Sequence, residues 1–476
     1  MLPGKFKERM EKLLGQESAS LFEAIECGSA VRSFRVNTIK CSVEDFESAD
    51  VKIDKTRAEF PLGAYYTEEG APGRLPCHHS GMIYMQDPSA MATVHAIEIK
   101  KGAKILDSCS APGGKTTQLA AATGEGGIVV ANEYEAKRCR ILQSNVERMG
   151  CVNTVIVNLD TAVLAEVYPE AFDVVLCDAP CSGEGMFRKN PLAVDEWSEE
   201  NVAMCAERQR EILTNVEKCV ALGGCLIYST CTFSLEENER NVAWFLDKFS
   251  DFELCEVSEG LKKVTSDGIC FEGCRYDMAK TRRFYPHVSQ GEGQFIAVLK
   301  RRGEAAVNGT DDARVKSKGK KGTEPKPDKK EVEAIAAARN FVGENLLQGS
   351  FDENLYSLVY LNGYVYIKPN IALPKYSVFA AGVCAGELVG KRFVPHHQLF
   401  SAYGNCFKRK LLLEGDSPRA AEYLRGLEIS ADALEVSGGT FDGWTAVLID
   451  GCAVGGGKVS GGVCKNHYPK GLRNQQ

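Results

Sequence analysis

Two cysteines stand where an open α/β sheet could use them. Cys181 follows Asp178-Ala179-Pro180 at the end of the apolar run FDVVLCDAP, and Cys231 follows Ser229-Thr230 at the end of GGCLIYSTCT. A lone cysteine is most often a small buried hydrophobe. Two at successive strand ends reach the rim where open α/β sheets bind their ligands. Such a pair has a chemical use. Carbon 5 of a pyrimidine is a poor nucleophile, and thiolate addition at carbon 6 gives it enolate character, so that it can attack a methyl group. Asp178 at the same rim can stabilise the protonated N3 of the base. After transfer, carbon 5 must lose its proton and the thiol must leave, a step a second cysteine can assist. An enzyme acting on an exocyclic amine needs no thiol and usually carries Asn/Asp-Pro-Pro-Tyr/Phe at this strand end. Here the stretch reads Asp-Ala-Pro-Cys.

A Gly-rich turn lies upstream, Asp107-Ser-Cys-Ser-Ala-Pro-Gly-Gly-Lys115-Thr-Thr. It contains Gly-Lys-Thr, but a phosphate loop needs glycine at 109, where this chain has Cys109. The G-x-G-x-x-G pattern is also missing. Gly113 and Gly114 still let the backbone approach a ligand closely at the end of a first parallel strand. Glu133 ends the second strand and suits a ribose diol, since a carboxylate accepts from both hydroxyls. Asp160 ends the third strand and Asp178 the fourth. Each alone could simply cap a turn. Together they favour a cationic nucleoside without phosphates, and S-adenosylmethionine has that chemistry.

The elements that must hold these residues alternate as βα units from about residue 100. KILDSCS, IVVANE, TVIVNLD, FDVVLCDAP and GGCLIYSTCT read as five strands. The fourth is almost continuously apolar, as in strands covered on both faces. Helices are expected at TTQLAAAT, at EAKRCRILQSNVERMG with Gly150 as its C-cap, and over 201–222. QFIAVLKR (294–301) adds a closing strand. The pattern predicts a doubly wound, mostly parallel sheet. Upstream, residues 1–85 read as an α+β segment. Residues 300–330 hold 11 Lys and Arg against five acidic residues, so 301–330 is expected to be a basic tether. Downstream, 331–347 reads as a helix, and SLVYLNGYVYIKP as a hairpin turning at Asn362-Gly363. The chain is divided at 85/86, 300/301, 330/331 and 372/373, with 331–372 a small intermediate domain and 373–476 a β-rich domain.

The bulk numbers set limits on function. The chain has 476 residues, 44% hydrophobic and 25% charged, and a net charge of −7, which argues against a protein coated in basic surface but not against a nucleic-acid enzyme. Its 19 cysteines include no C-x-x-C pair, so no metal site is expected. The charged N-terminus lacks an apolar signal core, and no run of 18 apolar residues occurs, so the reading is a cytoplasmic chain with free thiols and no membrane partner.

FRVNTIK, YMQDPSAM, LDSCSAPGGKT, ANEYEAKR, DAPCSGEGMFRK, YSTCT and RRFYPH together resemble the RNA cytosine-5 methyltransferase family over about residues 30–300. GEGMFRK, RFVPHH and GGVCKNHYPKGLR resemble the bacterial RsmF-type branch. The resemblance implies a class I S-adenosylmethionine-dependent methyltransferase, Rossmann-like, with an N-terminal RNA-binding segment and a C-terminal PUA-like RNA-binding domain. It implies that Cys231 is the nucleophile and that Cys181 assists product release, beside the base-polarising role that position and chemistry suggest for Asp178. It assigns the cofactor to Cys109, Ser110, Ala111, Pro112, Gly113, Gly114 and Lys115 with Glu133, Arg138, Asp160 and Asp178. The implied substrate is 16S ribosomal RNA, free or in the assembled small subunit, met by a monomer. Transfer RNA, or a non-catalytic assembly role, is the alternative. RNA contacts are expected from the N-terminal segment, Arg188, Lys189 and the basic C-terminal end. One departure is GEGQF (291–295), where relatives often have a Gly-Gly-Phe run.

Overall fold

The computed structural model describes residues 1–304 and 328–474; most of the expected basic tether lies outside the described residues. A ten-stranded sheet dominates. Its parallel centre is β1 (Lys104–Asp107), β2 (Ile128–Asn132), β3 (Thr154–Val157), β4 (Phe172–Asp178) and β5 (Val220–Thr230), in the order β5-β4-β1-β2-β3. Beyond β5 lies antiparallel β6 (Gln294–Arg301). The sheet is therefore mixed: its centre is parallel and its flanks antiparallel. Because β1 to β5 run the same way, all their C-terminal ends meet on one edge, with the order reversing beside β1.

The apolar runs divide between two cores by the two-residue period of a strand. Ile105, Val129, Ala131, Ile156, Leu176, Ile227 and Ile296 face one core. Leu106, Val130, Val155, Val175, Leu226, Tyr228 and Phe295 face the other. Both faces are covered, which is why alternation is invisible in the sequence.

Three helices flank the site: α1 (Gly114–Thr123), α2 (Ala136–Met149) and α3 (Glu199–Val216). Gly150 caps α2 in the left-handed region, as the sequence predicts. The helix expected over 201–222 stops at Val216, and β5 begins at Val220, earlier than read. Gly223 and Gly224 sit inside the strand, where its pairing with Phe172 and Val174 shifts register, so they mark a bulge rather than a boundary.

The N-terminal module holds two helices, Gly4–Leu14 and Glu17–Glu26, which share a core with Phe187, Trp197, Phe233 and Tyr285, and a four-stranded antiparallel sheet of 33–36, 56–57, 64–66 and 83–85 with a core of its own. Downstream, a helix (Lys329–Asn345) accompanies a sheet of Tyr356–Leu361, Tyr364–Pro369, Val383–Val389 and Arg392–Pro395. Its first two strands form the expected hairpin, with positive φ at Asn362 and Gly363. The boundary read at 372/373 falls inside this sheet. A strand between, β7 (Val378–Ala381), leaves it and pairs antiparallel with β3, joining the C-terminal half to the central sheet. A six-stranded sheet over 409–466 completes the described chain.

Candidate active site

The two cysteines meet. Cys181 Sγ lies 3.3 Å from Cys231 Sγ at the C-terminal ends of β4 and β5. That contact and burial push the Cys181 thiol well above its ordinary value, so Cys181 keeps its proton and can donate it toward Cys231.

Asp178 stands beside them. Its Oδ2 accepts from Lys115 Nζ at 2.6 Å, and its Oδ1 from Ser229 Oγ at 2.6 Å and Gln294 Nε2 at 3.2 Å. The Lys115 ion pair crosses from the Gly-rich turn to β4 with both side chains largely covered. Charge-assisted bonds of this kind fix the carboxylate's direction.

Polar bonds sew the loops behind the two thiols together. Glu237 accepts from Ser182 N at 3.0 Å, Ser182 Oγ at 2.5 Å and Gln209 Nε2 at 2.8 Å. Glu184 accepts from Thr232 Oγ1 and Phe233 N at 3.0 Å and from Trp197 Nε1 at 2.9 Å. Each acid ties one cysteine loop to its surroundings, and Ser182 Oγ meets Thr232 Oγ1 at 2.9 Å. Burial pushes Glu237 up to about 7 and raises Glu184 as well. Gly185 N donates to Cys231 O, and a Cβ on Gly185 would come within 2.6 Å of Gly293 Cα, so both positions need glycine. Gly293 belongs to the GEGQF departure. Arg283 of RRFYPH, fully buried, pairs with Glu239 and donates to Phe233 O at 2.8 Å.

A cleft of about 660 Å³ opens beside the thiols. Cys109, Ala111, Glu133, Arg138, Asp160, Asp178, Cys181 and Cys231 line it. Glu133 is buried; it accepts from Glu135 N at 2.9 Å and Ala111 N at 3.3 Å and pairs with Arg138 at 3.4 Å. Arg138 also donates to Ala111 O at 2.7 Å. Asp160 is exposed and caps the following helix by accepting from Ala162 N. The other turn residues shape the wall from behind. Ser110 bonds back to Asp107 O, and Pro112 O accepts from Asn145. Gly113 takes φ 109°, which carries the chain into α1 at Gly114. Beneath the turn, burial pushes Asp107 up to about 7, and its Oδ2 accepts from Thr116.

These residues fit S-adenosylmethionine. Three carboxylates ring a cleft of suitable size, each oxygen can accept more than one bond, and the turn offers no phosphate cradle. Glu133 and Asp160 would hold the nucleoside, and the turn would pass close to the amino-acid part.

Sequence reasoning missed Tyr134, Asn132 and the α3 residues Arg208, Glu211 and Ile212, which also line the cleft. The last three share one helix face by their i, i+3, i+4 spacing, a readable signal. Asn132 donates to Ser108 O and Leu159 O, tying three strand ends. Arg188 and Lys189 differ from expectation. Arg188 is buried against Glu292 at 3.1 Å, and Lys189 pairs with Asp87 at 2.7 Å. Their charges are spent within the fold, so they are not free RNA contacts.

The sheet order and this cleft define an S-adenosylmethionine-dependent methyltransferase. The 16S rRNA methyltransferase RsmB/F family matches residues 94–300, the N-terminal domain of 16S rRNA methyltransferase RsmF matches 2–88, and the methyltransferase RsmF PUA domain matches 410–474. The ribosomal RNA small subunit methyltransferase F of Aeromonas salmonicida is 31% identical over 454 residues, covering 93% of this chain and 90% of that protein. The chain belongs to the 16S rRNA methyltransferase RsmB/F family. The counterpart from Serratia proteamaculans is 36% identical over 278 residues, a match spanning 57% of each chain. A methyltransferase homologue from Pyrococcus horikoshii superposes with a TM-score of 0.55 at 29% identity, covering 62% of this chain and 94% of that one.

Proposed function

We propose that the protein methylates carbon 5 of a cytidine in small-subunit ribosomal RNA through a covalent cysteine adduct. The observation that carries this is the 3.3 Å thiol pair at the mouth of a carboxylate-lined cleft. S-adenosylmethionine, when bound, supplies the methyl group. Cys231, whose sulfur lies 3.3 Å from the protonated Cys181, adds as its thiolate to carbon 6 of the base. Asp178, held by Lys115 and Ser229, meets N3 and stabilises its protonated form, so that as the sulfur lone pair forms the C6–S bond the C5=C6 π electrons shift to carbon 5. After carbon 5 has taken the methyl group it gives its proton to solvent water, the C5–H electrons re-form the C5=C6 double bond, the C6–S bond breaks and Cys231 leaves as a thiolate. Cys181, beside that bond, assists the elimination.

The substrate inferred is ribosomal RNA, free or in the small subunit, met by the N-terminal segment and the C-terminal sheet. Bisulfite sequencing of 16S RNA incubated with cofactor and either the parent protein or Cys231→Ala tests the reading. Protected cytidine should appear with the parent alone. Equal protection by the variant would overturn it.

A further inference from the structure

A second cleft of about 640 Å³ lies far along the chain from the cysteines. The helix 329–345 forms one wall, the strand 392–395 another, and the six-stranded sheet a third. Neither C-terminal sheet forms it alone.

Four cations line it: Lys391, Arg392, Arg409 and Lys458. Arg409 is buried and committed to the fold, donating to Trp444 O at 2.9 Å and to Asn345 Oδ1 at 2.5 Å. Lys391 and Arg392 are exposed. Among the described residues, no carboxylate lies within ion-pair distance of Lys391, Arg392 or Lys458. The ammonium of Lys458 instead sits 6.0 Å from the centre of the Trp444 ring. Trp444 lines the cleft with Phe341 beside it, and its ring packs against Phe341, Phe400 and His467. Two acids also line the cleft, Glu344 and Asp442, and Asp442 is turned to accept from Gly461 N at 3.2 Å.

Unpaired cations around a rigid aromatic ring suit one ligand chemistry. Phosphates meet the cations, and a splayed base stacks on the ring. A duplex keeps its bases stacked inside and offers none to Trp444. We propose that this cleft binds a single-stranded nucleotide of the RNA substrate, its phosphates at Lys391, Arg392 and Lys458 and its base at Trp444. The inference rests on the RNA reading of the preceding section and deepens it by naming a contact remote in sequence from the reacting base.

The test uses the full chain, a transcript of small-subunit RNA, and the triple variant Lys391→Gln/Arg392→Gln/Lys458→Gln. These are surface charges, so the fold should survive, which unchanged cofactor binding would verify. Losing up to three phosphate contacts should lower the slope of log affinity against log salt by about 2, with binding on the order of tenfold weaker at moderate salt. Turnover at saturating RNA should be unchanged, with the loss confined to KM. An unchanged slope and affinity would overturn the proposal. A single-stranded oligonucleotide should displace the transcript from the parent protein far better than its own duplex, and equal displacement would overturn the assignment to single strands. If the parent protein binds the transcript but never methylates it, the enzymatic reading fails while the binding comparison still reports on the cleft.

Discussion

At the residue scale, roles separate by partner rather than by residue type. Many of the 19 cysteines are buried among apolar neighbours, while Cys181 and Cys231 touch each other at a cleft. Cys231→Ala should abolish methyl transfer and leave cofactor affinity within about twofold, because the thiol meets the base and only the rim of the cofactor cleft. Single-turnover assays and titration with cofactor would check both halves, and substantial residual transfer would sink the assignment. Cys181→Ala should do something different. Addition and transfer proceed, elimination stalls, and a protein–RNA adduct builds up, visible as a slower band on a denaturing gel. No such band would remove Cys181 from the release step.

At the element scale, the two cysteine loops depend on bonds from other loops. Glu237 holds three donors near Cys181, and Arg283 holds Phe233 O near Cys231. A misplacement of about 1 Å in such a site can cost on the order of 100-fold in rate. Glu237→Ala should therefore lower kcat by that order while cofactor affinity holds; a kcat within about threefold of the parent would refute a positioning role. Arg283→Met leaves the Glu239 carboxylate buried without its partner, a change that costs about 3–5 kcal/mol in stability. Denaturant unfolding would measure it. Pairing it with Glu239→Gln should recover much of the loss, since the stranded charge is then gone.

At the scale of the whole molecule, a junction binds the modules together. Lys40 donates to Ser80 O and Ala453 O at 2.7 Å and to Ser401 Oγ at 3.1 Å, while Ser401 Oγ donates to Glu147 O at 2.8 Å. Burial pushes Lys40 down to about 7. His397 lies in the same junction, and burial, with His396 and Lys40 nearby, pushes it down to about 3. Its neutral form is the one the fold accepts. The stability it contributes is fully present above its unfolded value near 6.5 and is lost as pH falls toward 3. The expected slope is about 1.4 kcal/mol per pH unit, because unfolding takes up one proton in that window. Glu147, pushed up to about 7 by burial, works in the opposite direction between about 4.5 and 7. Comparing His397→Phe with the parent cancels Glu147 and every other shared group. The parent should lose ground to the variant as pH drops from 6.5, and a pH-independent difference would show that His397 carries no such linkage.

Much of the fold was legible because its signals are local. Gly150 ended a helix and Asn362-Gly363 turned a hairpin, since both depend on backbone angles few residues adopt. The strands of the central sheet were readable as apolar runs, but not which core each residue would face. β7 was missed, since a four-residue edge strand carries little periodicity and gains its place only by pairing with β3. Arg188 and Lys189 looked like free charges because Glu292 and Asp87 lie about a hundred residues away.

The sequence by itself determined the chemistry on offer: two thiols and three carboxylates at the ends of parallel strands, beside a turn of small residues. Strand periodicity and turn residues act over a few positions, and parallel strands must present their ends on one edge. Only the tertiary structure decided that the thiols touch, that Lys115 spans to Asp178 and that two C-terminal sheets enclose a basic cleft. Those contacts join residues 50 or more positions apart, and packing alone sets their distances.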